Sequence, residues 1–187
     1  MATPRLNTLS VNLSQLLNDE VSVHTASGEE FTFNQRLLAL NRAEGTIISK
    51  AVADLDLENI MKNLQELIKE TDITPADSDG ISSVASPTGS VRIVSALATL
   101  QCIYIPPKDW YDYRRTYAPS VTDNFRWTEF GRTFYIKPSV SPVTVLYVKD
   151  HVDLTYDGAN DLMLPARFDT EILKTAFEFL TSILVKE

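Results

Sequence analysis

Phe125-Arg126-Trp127-Thr128-Glu129-Phe130-Gly131-Arg132-Thr133-Phe134-Tyr135-Ile136-Lys137-Pro138 is the stretch on which the fold turns. Aromatic and β-branched residues fill Phe125-Arg126-Trp127 and Thr133-Phe134-Tyr135-Ile136, and Gly131-Arg132 reads as a tight hairpin turn. Val91-Arg92-Ile93-Val94, Gln101-Cys102-Ile103-Tyr104-Ile105 and Val143-Thr144-Val145-Leu146-Tyr147-Val148 share that character, so strands are expected through this half. Pro106-Pro107 ends one strand, and Pro107-Lys108-Asp109 opens a short helical or turn segment through Trp110 and Tyr113.

Upstream the period changes from two to three or four. Leu6, Leu9, Leu13, Leu16 and Leu17 predict an amphipathic helix that ends near Asn18-Asp19. Val21-Ser22-Val23-His24-Thr25 alternates as a short strand, and Phe31-Thr32-Phe33 reads as its return across the Ser27-Gly28-Glu29-Glu30 turn. Asn34 is the expected N-cap of a second helix carrying Leu37, Leu38, Leu40, Ala43, Ile47, Ile48 and Ala51. Gly45 inside it marks either a close crossing or a break. A third helix is expected from about Asp56, with Leu57, Ile60, Met61, Leu64, Leu67 and Ile68 on one face.

Residues 72–90 are poor in apolar side chains and rich in Pro, Gly, Ser and Asp, and are expected to form a long loop or linker. Leu164-Pro165 opens a final helix. Its apolar positions exceed a one-sided stripe: Phe168, Ile172, Ala176, Phe179 and Ile183 follow the inward spacing, and Leu173, Phe177, Leu180 and Leu184 widen it. That second side, with Phe168, is the candidate subunit interface. The order of helices, then strands, then a helix places the chain in the α+β class.

A chain of 187 residues with 44% hydrophobic and 22% charged side chains can fold as one domain, or one domain with an inserted subdomain. No apolar run is long enough to span a membrane, and the opening residues lack a secretory signal's apolar stretch. Cys102 is the one cysteine, so no intrachain disulfide forms and a reducing compartment is expected. The net charge is −8, concentrated in residues 1–90, which hold 6 basic and 13 acidic side chains against 11 and 12 in the remainder. An acidic chain repels phosphate backbones, which argues against non-specific DNA binding.

Phosphate-cradling glycine loops, a nucleophile elbow and a His-Glu-x-x-His helix are all missing from the sequence. Asp77-Ser78-Asp79-Gly80 resembles part of a calcium loop, yet Pro75 and Ser86 occupy the first and twelfth ligand positions. Asp150-His151-Val152-Asp153 has the side chains of a hydrolytic or metal site but reads first as a strand-end turn. Cys102 in an apolar strand reads as a packed thiol. The most unusual cluster interleaves aromatic and basic residues: Trp110, Tyr113, Arg114, Arg115 and Tyr117, echoed by Arg126 and Trp127. Such a mixture stacks bases, packs on a sheet, or meets a protein partner, and the acidity of the chain favours the last two. No catalytic residue, metal ligand or cofactor is expected.

The run Trp127 to Pro138, then Leu146-Tyr147, then Leu164-Pro165-Ala166-Arg167-Phe168 and an apolar C-terminal helix resembles the head-to-tail adaptor (connector) proteins of tailed bacteriophages. Phe33-Asn34 followed by Leu37-Leu38-Ala39-Leu40-Asn41-Arg42-Ala43 is similar to that family's opening helices. The resemblance implies an α-helical bundle with a β-strand-rich insertion in the second half. In that scheme residues 1–71 form helices with a short hairpin, 72–90 the linker, 91–163 the insertion, and 164–187 the helix completing the bundle. It further implies a virion protein that forms a ring with copies of itself, commonly twelvefold. The ring would lie between the portal protein and a tail or further neck protein, extending the channel for double-stranded DNA. The competing readings are a tail-completion or baseplate subunit, a hydrolase or metal enzyme using Asp150, His151 and Asp153, and a nucleic-acid module using Trp110, Arg114, Arg115 and Trp127.

Overall fold

The computed structural model describes residues 3–21, 31–54, 56–78, 80–99, 102–116, 125–151 and 161–184. In chain order its elements are α1 (Pro4–Val21), α2 (Phe33–Asp54), α3 (Leu57–Asn63), β1 (Ile68–Ile73), β2 (Ala76–Ser78), β3 (Ile81–Ala85), β4 (Ser90–Leu97), β5 (Ile103–Tyr104), α4 (Pro107–Thr116), β6 (Arg126–Phe130), β7 (Thr133–Lys137), β8 (Val143–Lys149) and α5 (Asp169–Leu184). They divide into two compact units, residues 1–54 with 151–187 and residues 55–150.

The first unit packs α1, α2 and α5 together. Leu6, Leu9, Leu13 and Leu17 of α1 are buried as their spacing requires, whereas Leu16 faces water. The helix continues past Asn18-Asp19 to Val21, so Val21 is helical; residues 22–25 of the expected strand lie outside the described residues. Phe31-Thr32-Phe33 forms no strand. Thr32 Oγ1 accepts the Gln35 N–H at 3.3 Å while Gln35 Oε1 accepts the Thr32 N–H at 2.7 Å. This reciprocal capping box starts α2 at Phe33 and displaces Asn34 from the N-cap role. Pro165 leads into a 3-10 turn, Ala166–Phe168, and α5 begins only at Asp169, whose carboxylate holds Arg5 at 2.5 Å. Ile172, Ala176 and Leu180 are the buried face of α5. Leu180 therefore belongs to the chain's own core and leaves the candidate interface.

The second unit holds two sheets. One has three antiparallel strands in the order β1-β8-β4. The other is ordered β2-β3-β7-β6-β5, antiparallel except for the β5–β6 pair. Ile73, Ile93, Ala96, Cys102, Trp127, Phe134, Ile136, Val143 and Val145 form their shared core. Within it the Trp127 and Phe134 rings stack with centroids 5.7 Å apart. The fold is thus mixed α/β, not a helical bundle with an insertion. Strands dominate the later chain, and α3 and α4 belong to the same unit as the sheets.

Two further expectations fail for one reason, that pairing between strands outweighs local composition. The third helix stops at Asn63, although Asp56 caps it as the sequence allows. After a 3-10 turn, Ile68 to Ile73 pair with Val148 to Val143. Residues 72–90 are not a linker: they hold the end of β1, all of β2 and β3, and the first residue of β4. Gly80 and Gly89, at φ 77° and 73°, mark turns between strands. The polar Ser82 is buried on β3 and shares a hydrogen bond with Ser139 at 2.6 Å.

The sheets are tied by the β6–β7 hairpin. Glu129 on β6 accepts the Ile93 N–H of edge strand β4 at 2.8 Å and a hydrogen bond from the Ser86 hydroxyl. Arg132, in the two-residue turn at φ 61°, donates to the Ser90 carbonyl at 2.9 Å. Glu129→Ala leaves both donors without this acceptor, and should lower unfolding free energy by about 2–3 kcal/mol in urea titrations. Glu129→Gln, which keeps one carbonyl acceptor, should cost less.

Burial pushes the Cys102 thiol above its ordinary value of 9.0, and a backbone hydrogen bond at Ala98 opposes the shift more weakly. The folded state therefore holds its proton to higher pH than the unfolded state does. Stability from this group is complete below pH 9.0 and falls as pH rises from there through the folded value. Cys102→Ala should flatten the alkaline fall of the melting temperature relative to the native chain.

Candidate partner-contact site

Period-two alternation along β6 decides what the outer face of the five-stranded sheet carries. Trp127 points into the core, 1% exposed, so Thr128 and Phe130 lie on the opposite face. The hairpin register sets Thr128 beside Tyr135, Phe130 beside Thr133 and Arg126 beside Lys137. Over this face lies α4, which starts at Pro107, where a missing N–H costs nothing. Its first turn is closed by the Trp110 N–H to Pro106 carbonyl bond at 3.2 Å.

Trp110 is the anchor of α4. It is 6% exposed, and its ring centroid stands 5.7 Å from that of Tyr113 and 6.4 Å from that of Tyr135. The Arg126 guanidinium and the Lys137 ammonium lie over the Tyr113 ring, 5.1 and 5.7 Å from its centre. Lys137, itself buried, donates to the Arg114 carbonyl in the last turn of the helix at 3.1 Å. Trp110 and Tyr135 wall a depression whose rim carries the exposed rings of Tyr111 and Phe130 and the Arg114 side chain. Thr128 also lines it; its hydroxyl is fully buried and has no hydrogen-bond partner among the described residues.

Of the aromatic and basic residues singled out in sequence, Trp110, Tyr113, Arg114 and Arg126 meet here, and Arg115 is exposed on the same helix. Trp127 is on the wrong face and cannot stack a base, which removes it from any nucleic-acid reading. Tyr117 lies outside the described residues. Thr128, Phe130, Tyr135 and Lys137 were missed, although counting alternate positions away from Trp127 across the Gly131-Arg132 turn finds all four.

The helical unit has a polar cluster of its own. Glu44 on α2 is fully buried; Oε1 accepts the Leu164 N–H at 2.6 Å, and Oε2 stands 3.3 Å from His151 Nδ1. The imidazole lies against the helix at Gly45, where an added Cβ would meet Cδ2 at 3.2 Å. Gly45 is thus a close approach and not a break in α2. His151 is engaged with Glu44, and Val152 and Asp153 lie outside the described residues. Asp150 donates its backbone N–H to the Gly89 carbonyl at 2.6 Å. No three His, Cys, Asp or Glu side chains converge on a metal-binding geometry among the described residues.

Of the candidate interface along α5 and the turn before it, Phe168, Leu173 and Phe177 are half-buried, and the Leu184 side chain lies outside the described residues. The large apolar side chains most exposed on the helical unit are Val11 and Leu16 of α1 and Phe33 and Leu38 of α2. No helix among the described residues is long and apolar enough to cross a membrane. The chain matches no protein-family model and no curated protein.

Glu44→Ala should lower unfolding free energy by about 3 kcal/mol, because it strands the buried Leu164 N–H and removes the carboxylate facing His151. Glu44→Gln, which keeps an acceptor for that N–H, should cost less in the same urea titration.

Proposed function

We propose that this chain is a non-enzymatic structural subunit of a tailed-bacteriophage neck, forming an adaptor ring between portal and tail. The observation that carries the reading is the set of apolar side chains left in water on α1 and α2: Val11, Leu16, Phe33 and Leu38. Exposed apolar area is worth about 25 cal/mol per Å² when covered, and repeated contacts between copies cover it in every subunit at once. Half-buried Phe168 in the turn before α5, with Leu173 and Phe177 on α5, extends the surface open to a neighbour or the portal. The sequence resemblance to adaptor proteins supplies the location, a virion ring that is commonly twelvefold. A net charge of −8 per subunit suits a channel that passes double-stranded DNA without holding it.

Light scattering and negative-stain microscopy of the full chain with its portal test this reading. The native chain should form rings, whereas Val11→Glu and Leu38→Glu should stay soluble, folded and monomeric. Rings that form unchanged in both variants, or a native chain that never assembles on the portal, would overturn it.

A further inference from the structure

We propose that the outer edge of β1 takes up an extended, cationic segment of a partner protein as an added strand. The two sheets have four edges among the described residues, and three of them are guarded against such addition. β2 and β5 span three and two residues, too short to guide a long ladder. On β4 the register shifts between Ser90 and Arg92 and again between Ile93 and Ser95, and Glu129 occupies the Ile93 N–H. β1 differs on each count. It is six residues long and pairs with β8 without a break from Ile68 to Ile73. On its other side no strand lies among the described residues, and Lys69, Glu70 and Asp72 are exposed along it. The outward N–H and carbonyl groups of such a strand are ready to pair with another chain.

Alternation along β1 decides what the incoming strand must carry. Ile73 points into the shared core, so Lys69 and Thr71 share its face and Ile68, Glu70 and Asp72 share the other. The hydroxyl of Thr144, the register partner of Asp72 on β8, donates to Asp72 Oδ1 at 2.6 Å, as that placement requires. The bond also holds the carboxylate on the sheet face, in one row with Glu70. Two carboxylates at alternate positions select cations at alternate positions of the added strand, each directly across the ladder.

A second copy of β1 does not meet that requirement. Two copies would add antiparallel about a twofold axis, and facing residues then lie on the same side of the joined sheet. A pairing centred on Glu70 sets it against Glu70 of the second copy. One centred on Thr71 sets Glu70 against Asp72 of that copy. Like charges directly opposite destabilise either ladder. The edge is therefore closed to its own kind and open to a basic strand. The proposal holds whether or not the chain forms rings, since β1 and its neighbours belong to one unit of one subunit.

Calorimetric titration of the full chain with three synthetic peptides tests it. Acetyl-Thr-Val-Lys-Val-Lys-Val-Thr-amide sets both lysines on one face of a strand. Acetyl-Thr-Val-Lys-Lys-Val-Val-Thr-amide has the same composition and charge but splits them between faces. The third peptide carries Glu for each Lys of the first. The first should bind about fivefold more tightly than the second and about tenfold more tightly than the third. Glu70→Lys combined with Asp72→Lys should reverse the order of the first and third, with melting curves to separate lost binding from lost folding. Amide hydrogen exchange of β1 should slow when the first peptide is bound, a readout that loose ion pairing would not move. Equal affinity for the first two peptides, no binding at millimolar concentration, or binding that leaves β1 exchange unchanged would overturn the proposal. So would β1 exchange that slows with rising chain concentration alone, the sign of a second copy on that edge.

Discussion

The carboxylate of Glu129 is the point at which the two sheets become one unit. It projects from β6 of the five-stranded sheet and takes the Ile93 N–H of β4, an edge strand of the three-stranded sheet. An exposed edge N–H invites pairing with another chain, and here a side chain occupies it. The same carboxylate takes the Ser86 hydroxyl, which follows β3, so three strands depend on one group. With Glu129 turned toward β4 and Trp127 turned into the core, alternation leaves Thr128 and Phe130 no choice but the outer face. The surface that α4 partly covers is therefore fixed by a contact on the opposite side of the sheet.

On that outer face, the polar groups are placed by rings rather than by one another. Lys137 is buried yet reaches a helix carbonyl, and it gets there across the face of Tyr113, which Arg126 covers as well. Two cations beside one ring would repel each other in an apolar setting. The ring's negative face and the carbonyl at the end of α4 offset that repulsion. Trp110 sets the height of the helix above the strands through Tyr113 and Tyr135, and so sets the opening over Thr128.

Much of this was legible in the residues. The leucine spacing of α1, the apolar stripe of α2, the β6–β7 hairpin about Gly131-Arg132 and the long strand at 143–148 all follow from period and turn chemistry. What escaped was non-local. Ser82 reads as a loop residue until Ser139, far along the chain, offers its hydroxyl. Ile68 completes a helical stripe until Val148 offers a strand partner. Glu44 gives no local sign of burial, because its partners lie at 151 and 164. Thr32-x-x-Gln35 forms a capping box that prevails over Asn34, a better cap in isolation but without a reciprocal partner. At the site the aromatic and basic composition pointed to the right region, while the face of each strand residue required the register.

Arg132 carries one more consequence. A non-glycine residue at φ 61° sits in a left-handed conformation that costs roughly 1 kcal/mol, and glycine would relieve it. Glycine would also let go of the Ser90 carbonyl, which the guanidinium holds from the turn. The hairpin therefore keeps a locally frustrated residue whose compensation lies on another strand. Any gain made by relaxing the turn would be taken from the alignment of the sheets, so ease of folding in the hairpin and fidelity of sheet docking are set against each other at a single position.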